Sequence, residues 1–214
     1  MPSKTERLMQ KNPFLLTRGH DYVEIGGVKW ATCNVGAEKP TDPGFYFQWG
    51  DIQGYTAEQV GIGEYQKYFD WNDYKLYESS LLKYNDIDGR TVLDISDDAV
   101  HAAWGGAWRM PTREEFDILE KAVNTTWTDN YQGTGVAGVV CTDKTDSSKV
   151  LFFPAVGCCE YGKAGDVGYL GFYWSNISND TPFGSAYGTC FSLYNSLFGV
   201  FLPRSVGAPV RGVC

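Results

Sequence analysis

Two histidines and six cysteines are the side chains of this 214-residue sequence with the widest catalytic and metal-binding repertoire, and their spacing limits what they can do. His20 lies in an N-terminal stretch and His101 in DDAVHAAWGG, residues 97–106; neither sits near a Ser or Cys motif such as a nucleophile elbow. An isolated imidazole of this kind reads as structural or solvated. Cys33, Cys141, Cys158, Cys159, Cys190 and Cys214 are scattered without a C-x-x-C pair, so metal-ligand spacing is absent. A chain of this size does not need disulfides, and most of these cysteines read as small buried thiols. GIGEYQ, residues 61–66, has neither the spacing nor the lysine of a phosphate cradle. No catalytic residue, metal or cofactor is therefore assigned.

Carboxylates offer one further possibility. In YNDIDGRTVLDISDDA, residues 84–99, an EF-hand register with glycine sixth would put Tyr84 where a ligating Asp must stand. Asp86, Asp88, Asp94, Asp97 and Asp98 could still serve a loop-type calcium site; a solvated acidic loop is the favoured reading. Asn124-Thr125-Thr126, Asn176-Ile177-Ser178 and Asn179-Asp180-Thr181 fit the N-glycosylation pattern, which matters only in a secretory setting.

The elements that must carry these residues follow from composition and pattern. With 43% hydrophobic residues, 15% aromatic and 25 Gly, the chain fits one large β-rich domain better than two small ones. A formal net charge of −8 argues against nucleic acid, whose phosphates require a basic face. PFLL, residues 13–16, is too short for a signal-peptide core, and no run is long enough to span a bilayer, so neither membrane insertion nor an export address is expected. That leaves the cytoplasm, release with a virus particle, or a sequence written without its leader.

Residues 1–20 lack periodicity and carry Lys4, Arg7, Lys11 and Arg18; they read as an arm or linker before a domain spanning 21–214. DYVEIGGVKWATCNVG (21–36) suggests two strands about a Gly26-Gly27 turn, and GFYFQWGD (44–51) an aromatic strand. Residues 52–100 read as irregular loop with short helical turns. In PTREEFDILEKAV (111–123), Thr112 and Glu115 form a capping box, and Phe116, Leu119 and Val123 share a helical face. Strands return in GVAGVVCTD, SSKVLFFPAVG, GFYWSN, AYGTCFSLYN and APVRGV. Strand runs around one or two packed helices predict an α+β domain.

The closing segment, 168–208, is rich in Tyr, Phe, Ser, Asn and Gly, with Asp180 the only charge between Asp166 and Arg204. If AYGTCFSLYN is a strand, Tyr187, Thr189, Phe191 and Leu193 share one face, and Gly188, Cys190, Ser192 and Tyr194 the other. The second face has the composition of a recognition surface, in which aromatic rings supply contact area and small polar groups adjustable hydrogen bonds. A buried strand at SLFGVFL is the equal alternative.

Several blocks then combine: VKWATCNVG (28–36), GFYFQWGD (44–51), DDAVHAAWGGAWRMPTREEF (97–116), FFPAVG (152–157), YWSN (173–176) and RSVGAPVRGV (204–213). Together, in order over residues 21–214, they resemble the Fibrobacter-type major paralogous domain, a family related to the C-type-lectin-fold variable proteins of diversity-generating retroelements. The resemblance implies a C-type lectin fold, related to that of formylglycine-generating enzymes. It implies short antiparallel strands with one or two packed helices, and a non-enzymatic role in binding a protein or glycan receptor, on a virion or cell surface. By that resemblance Trp108, Arg109, Pro111, Thr112, Trp174, Arg204, Gly207 and Arg211 are scaffold. The variable, ligand-binding positions are Leu170, Phe172, Asn176, Ser178, Gly188, Cys190, Ser192, Tyr194, Phe198, Val200, Leu202, Ser205 and Ala208. The Glu-Pro-Asn and Gln-Pro-Asp signatures of calcium-dependent sugar binding are absent, and Trp71-Asn72-Asp73 falls far too early. Cys190 and Cys214 do not reproduce the copper-binding cysteine pair of the formylglycine-generating enzymes. A degenerate enzyme of that type and a structural adhesin or tail module are the alternatives.

Overall fold

The computed structural model describes residues 20–63, 66–178 and 184–214. The expected arm, the Asn179 glycosylation pattern and Asp180 lie wholly or almost wholly outside them, as do the side chains of residues 195–198, including Phe198.

The first sheet is built from both ends of the domain. β1 (Tyr22–Ile25) and β2 (Val28–Asn34) form the expected hairpin. Its two turn residues, Gly26 and Gly27, have φ of 62° and 79°, the left-handed pair that a tight two-residue hairpin demands. The third strand, β11 (Arg211–Val213), comes from the far end of the chain and lies beside β2. GFYFQWGD is not a strand but a pair of isolated bridges, Tyr46 to Tyr55 and Phe47 to Ala208.

Two α-helices precede the remaining sheets: α1 (Ala99–Trp104) and α2 (Arg113–Ala122). α2 begins with the predicted capping box, Thr112 accepting from the Glu115 amide and Glu115 returning to the Thr112 amide. It buries Phe116 and Leu119, while Val123 already opens the next strand, β3 (Val123–Thr128). β3 pairs with β4 (Gly138–Asp143), which pairs with β5 (Val150–Pro154). A two-stranded ribbon, β6 (Cys158–Glu160) and β7 (Lys163–Gly165), follows.

β8 (Leu170–Ser178), β9 (Ser185–Ser192) and β10 (Asn195–Pro203) form the last sheet, in the order β10-β9-β8. It lies between two hydrophobic clusters. Phe172, Trp174, Ala186 and Cys190 enter one, with Trp49, Tyr74, Tyr84, Val206 and Ala208. Tyr173 and Phe191 enter the other, with Trp30, Phe116, Leu119 and Phe153. A sheet covered on both faces requires a near-continuous apolar strand, which accounts for the missing charges of this segment.

The α+β expectation is overturned. Strand occupies 39% of the structure and helix 14%, and the sheets are small and antiparallel. Among the described residues only the 10-residue α2 is long enough to cover a sheet, because α1 stops after 6 residues at Gly105. Layering therefore comes from sheets and from the irregular aromatic stretch, not from packed helices, and the architecture is mostly β.

Candidate recognition surface

The positions expected to form a ligand face divide sharply by exposure. Phe172 (2% exposed), Cys190 (6%), Ser205 (4%) and Ala208 (0%) are sealed, and Gly188 and Ser178 are buried with them. Phe172, Cys190 and Ala208 belong to the first cluster, so they cannot touch a ligand on this surface; substitution there changes packing. Ser178 is used internally, donating to the Thr91 carbonyl. Asn176 is 9% exposed, its amide N–H bonded to Pro111 O, and its side-chain oxygen has no partner. A glycan acceptor at Asn176 would therefore be closed off, whereas Asn124 on β3 is exposed. Leu170, Ser192, Val200 and Leu202 are half-buried, and Tyr194 alone of the described set is strongly exposed.

The exposed face lies at one end of the central sheet. Register pairs Leu170 with Ser192, which sets the start of β8 beside the turn between β9 and β10. Tyr169 (77% exposed) and Val167 (55%) precede β8; Leu193 (54%) and Tyr194 (88%) form the turn opposite. The approach to β8 is pinned by Tyr169 and Leu170 amides donating to Asp166 O, and by Gly168 N donating to Ala155 O. On the other side, the Tyr194 amide donates to Ser192 Oγ. Two phenol rings thus project from a braced rim. Val167, Tyr169 and Leu193 are not among the positions expected from sequence; the signal for them is position, since turns flanking a buried strand are where apolar side chains stay in water.

The scaffold positions behave differently. Arg211 is fully buried; Nε donates to Asn34 Oδ1, Nη1 to the Ala31 and Thr32 carbonyls and Nη2 to that of Phe152. Its guanidinium lies 4.6 Å from the Phe153 ring centre, and burial lowers its affinity for the proton. Arg204, 1% exposed, donates to Ser185 O and Tyr84 O and lies 5.0 Å from the Trp49 ring centre. Trp174 is sealed, its indole N–H on Phe47 O, and Gly207 bridges to Cys159. Pro111 is buried and Trp108 half-buried. Arg109 clamps Glu115 through two bonds of 2.7 Å beside the Thr112 cap.

The remaining chemical candidates are absorbed by local structure. Asp88 accepts from the Tyr84, Asn85 and Arg90 amides; Asp97 accepts from Lys83 and the Tyr84 hydroxyl; Asp94 pairs with Lys83 and Arg90. Asp98, buried, accepts from the His101 and Met110 amides, and its burial raises its pKa. Among the described residues no group of three or more His, Cys, Asp or Glu is placed to hold a metal ion. All six cysteines are free thiols; burial pushes Cys190 to about 11 and Cys141 to about 12.

No family model, no curated protein and no solved structure matches this chain. With a mostly β architecture and no fold neighbour, the C-type lectin fold implied by the resemblance is withdrawn as a description of this chain.

Proposed function

We propose that this chain is a non-enzymatic recognition protein that binds a cell-surface protein or glycan receptor through the rim of Val167, Tyr169, Leu193 and Tyr194. The observation that carries the reading is the pair Tyr169 and Tyr194, 77% and 88% exposed, on a sheet whose other described aromatic side chains are mostly buried. Tyrosines held by a rigid sheet supply contact area at small entropy cost, with hydroxyls left to read polar groups. Ser192 and Leu170 lie at the base of the rim and adjust its shape. The resemblance to retroelement-diversified variable proteins supports the same role, carried on a virion or cell surface. Diversification compatible with this fold is confined to the rim, since variation at Phe172 or Ala208 would disturb the core.

The test pairs a surface variant with a core variant, read on a glycan microarray and a panel of intact bacterial cells with labelled protein. Tyr169→Ala/Tyr194→Ala should abolish binding while shifting stability by no more than about 0.5 kcal/mol per site. Phe172→Ala should instead lower stability by about 3–5 kcal/mol. Binding that survives loss of both tyrosines, or wild-type protein that binds no target in either set, defeats the proposal.

One observation favours a second reading, a structural adhesin or tail module. β10 is an edge strand without a charged side chain from Asn195 to Pro203, and Phe201 on it is 42% exposed. Uncharged edges of this length are templates for pairing between chains. Light scattering on dilute protein separates the two: persistent multimers favour the module, monomers the rim. The formylglycine-generating alternative gains no such support, because Cys190 is a buried, protonated thiol.

A further inference from the structure

Far from the rim in sequence, three aromatic rings meet at the start of the domain. The His20 imidazole stacks on the Trp104 indole, with centroids 3.8 Å apart and an interplanar angle of 23°. Trp108 stands at 85° to Trp104, centroids 5.3 Å apart, and at 83° to His20, centroids 5.7 Å apart. Trp108 is nearly as close to one ring as to the other. It therefore lies beside the stack rather than above it, and the two indoles form a floor and a wall with His20 seated in the corner.

The backbone builds this corner. α1 ends on Trp104, and Gly105 and Gly106, with φ of 66° and 59°, turn the chain so that Trp108 returns at a right angle. Gly212 of β11 supports Trp104 closely: a Cβ there would collide with the indole ring. Both indoles stay half-buried, while Trp30, Trp49 and Trp174 are sealed. Among the described residues the His20 side chain makes ring contacts alone, and burial, opposed by Asp21, lowers its affinity for the proton.

Two perpendicular indole faces form the arrangement that best receives a cation lacking N–H donors, because ring quadrupoles attract the charge and no hydrogen bond has to be satisfied. Among the described residues the charged group acting on the His20 ring is the Asp21 carboxylate, a charge that also favours a cation there. We propose that the Trp104–Trp108 corner is a binding site for a quaternary ammonium group, with His20 as a displaceable occupant that the ligand replaces.

The probes are tetramethylammonium and choline, with 3,3-dimethylbutan-1-ol as the neutral isostere of choline, added to the full chain at constant ionic strength. The readout is the pair of indole N–H resonances of Trp104 and Trp108, assigned by Trp→Phe variants. Both cations should shift these two signals saturably, and the neutral isostere should not. His20→Ala should raise the affinity several-fold by removing the competing ring, and Trp108→Leu should weaken it about tenfold. The proposal is overturned if the wild-type signals do not saturate, or if the neutral isostere matches the cations. Unchanged affinity in a folded His20→Ala protein overturns the displacement. The isostere comparison uses unmodified protein, so it decides between cation and neutral ligand even where a Trp108 variant fails to fold.

Discussion

Arg211 shows how a side chain that composition assigns to the surface becomes part of a core. Its guanidinium is sealed against Phe153 and shares its donors among the oxygens of Asn34, Ala31, Thr32 and Phe152, with no carboxylate among these acceptors. Removing it takes the guanidinium donors from four acceptors, three of them in buried contacts. Arg211→Met should therefore lower unfolding stability by about 3–5 kcal/mol, read as a fall in the urea midpoint. Arg211→Lys, with one compact ammonium in place of a planar fork, should fall between that and wild type. The arginine's place in a closing block was visible in sequence, but its burial was not, because its acceptors come from residues 31–34 and 152, far along the chain. The positions expected to bind a ligand have the residue types of a recognition face, but most of the described ones are buried. Alternation divides the strand as far as Ser192 into two faces, whereas Leu193 and Tyr194 stand in the turn; both faces are covered, one by the aromatic stretch near Trp49 and the other by the side of α2. Tyr194 escapes because it stands in the turn beyond the covered strand.

At the level of elements, the best-read piece is the one whose signals are local. Thr112, Glu115 and the Phe116–Leu119 spacing define α2 without help from the rest of the molecule. The Arg109–Glu115 clamp adds a pH dependence. Burial raises the Glu115 carboxyl, but the guanidinium and the Thr112 amide outweigh it and hold the group below the ordinary carboxylate range. A depressed folded value means the stabilisation is complete above the unfolded value, about 4.3, and is lost as the pH falls through the folded one. Glu115→Gln should cost about 1 kcal/mol at pH 7, the Arg109 partner being over a third exposed. The gap between variant and wild-type melting temperatures should narrow as the pH falls through the folded value. The hairpin at Gly26-Gly27 was equally legible, since that turn needs only its own glycines. β3 was hidden because Val123 ends the helix and starts the strand without an intervening loop, and a helical face absorbs it in the sequence pattern. GFYFQWGD carries strand-like residues, but its partners are single residues in separate loops, so it forms bridges instead of a ladder.

Over the whole molecule, aromatic content and glycine spacing were enough to indicate a β-rich domain, while the balance of strand to helix required the long-range pairings. The first sheet joins β1 and β2 to β11, and Arg109 bridges to Val213 on its far side. Cys214 N also bonds to Lys29 O. Contacts of that sequence separation raise the entropy cost of closing the chain and slow folding into the range of about milliseconds to seconds. Deleting residues 211–214 should leave a protein without a cooperative thermal transition, seen by calorimetry, although β3, β4, β5 and the central sheet keep every residue. The pairing of β2 with β11 also sets a timetable for synthesis. A ribosome emits β2 well over a hundred residues before β11, so that edge of β2 has no partner strand until the chain has passed residue 211.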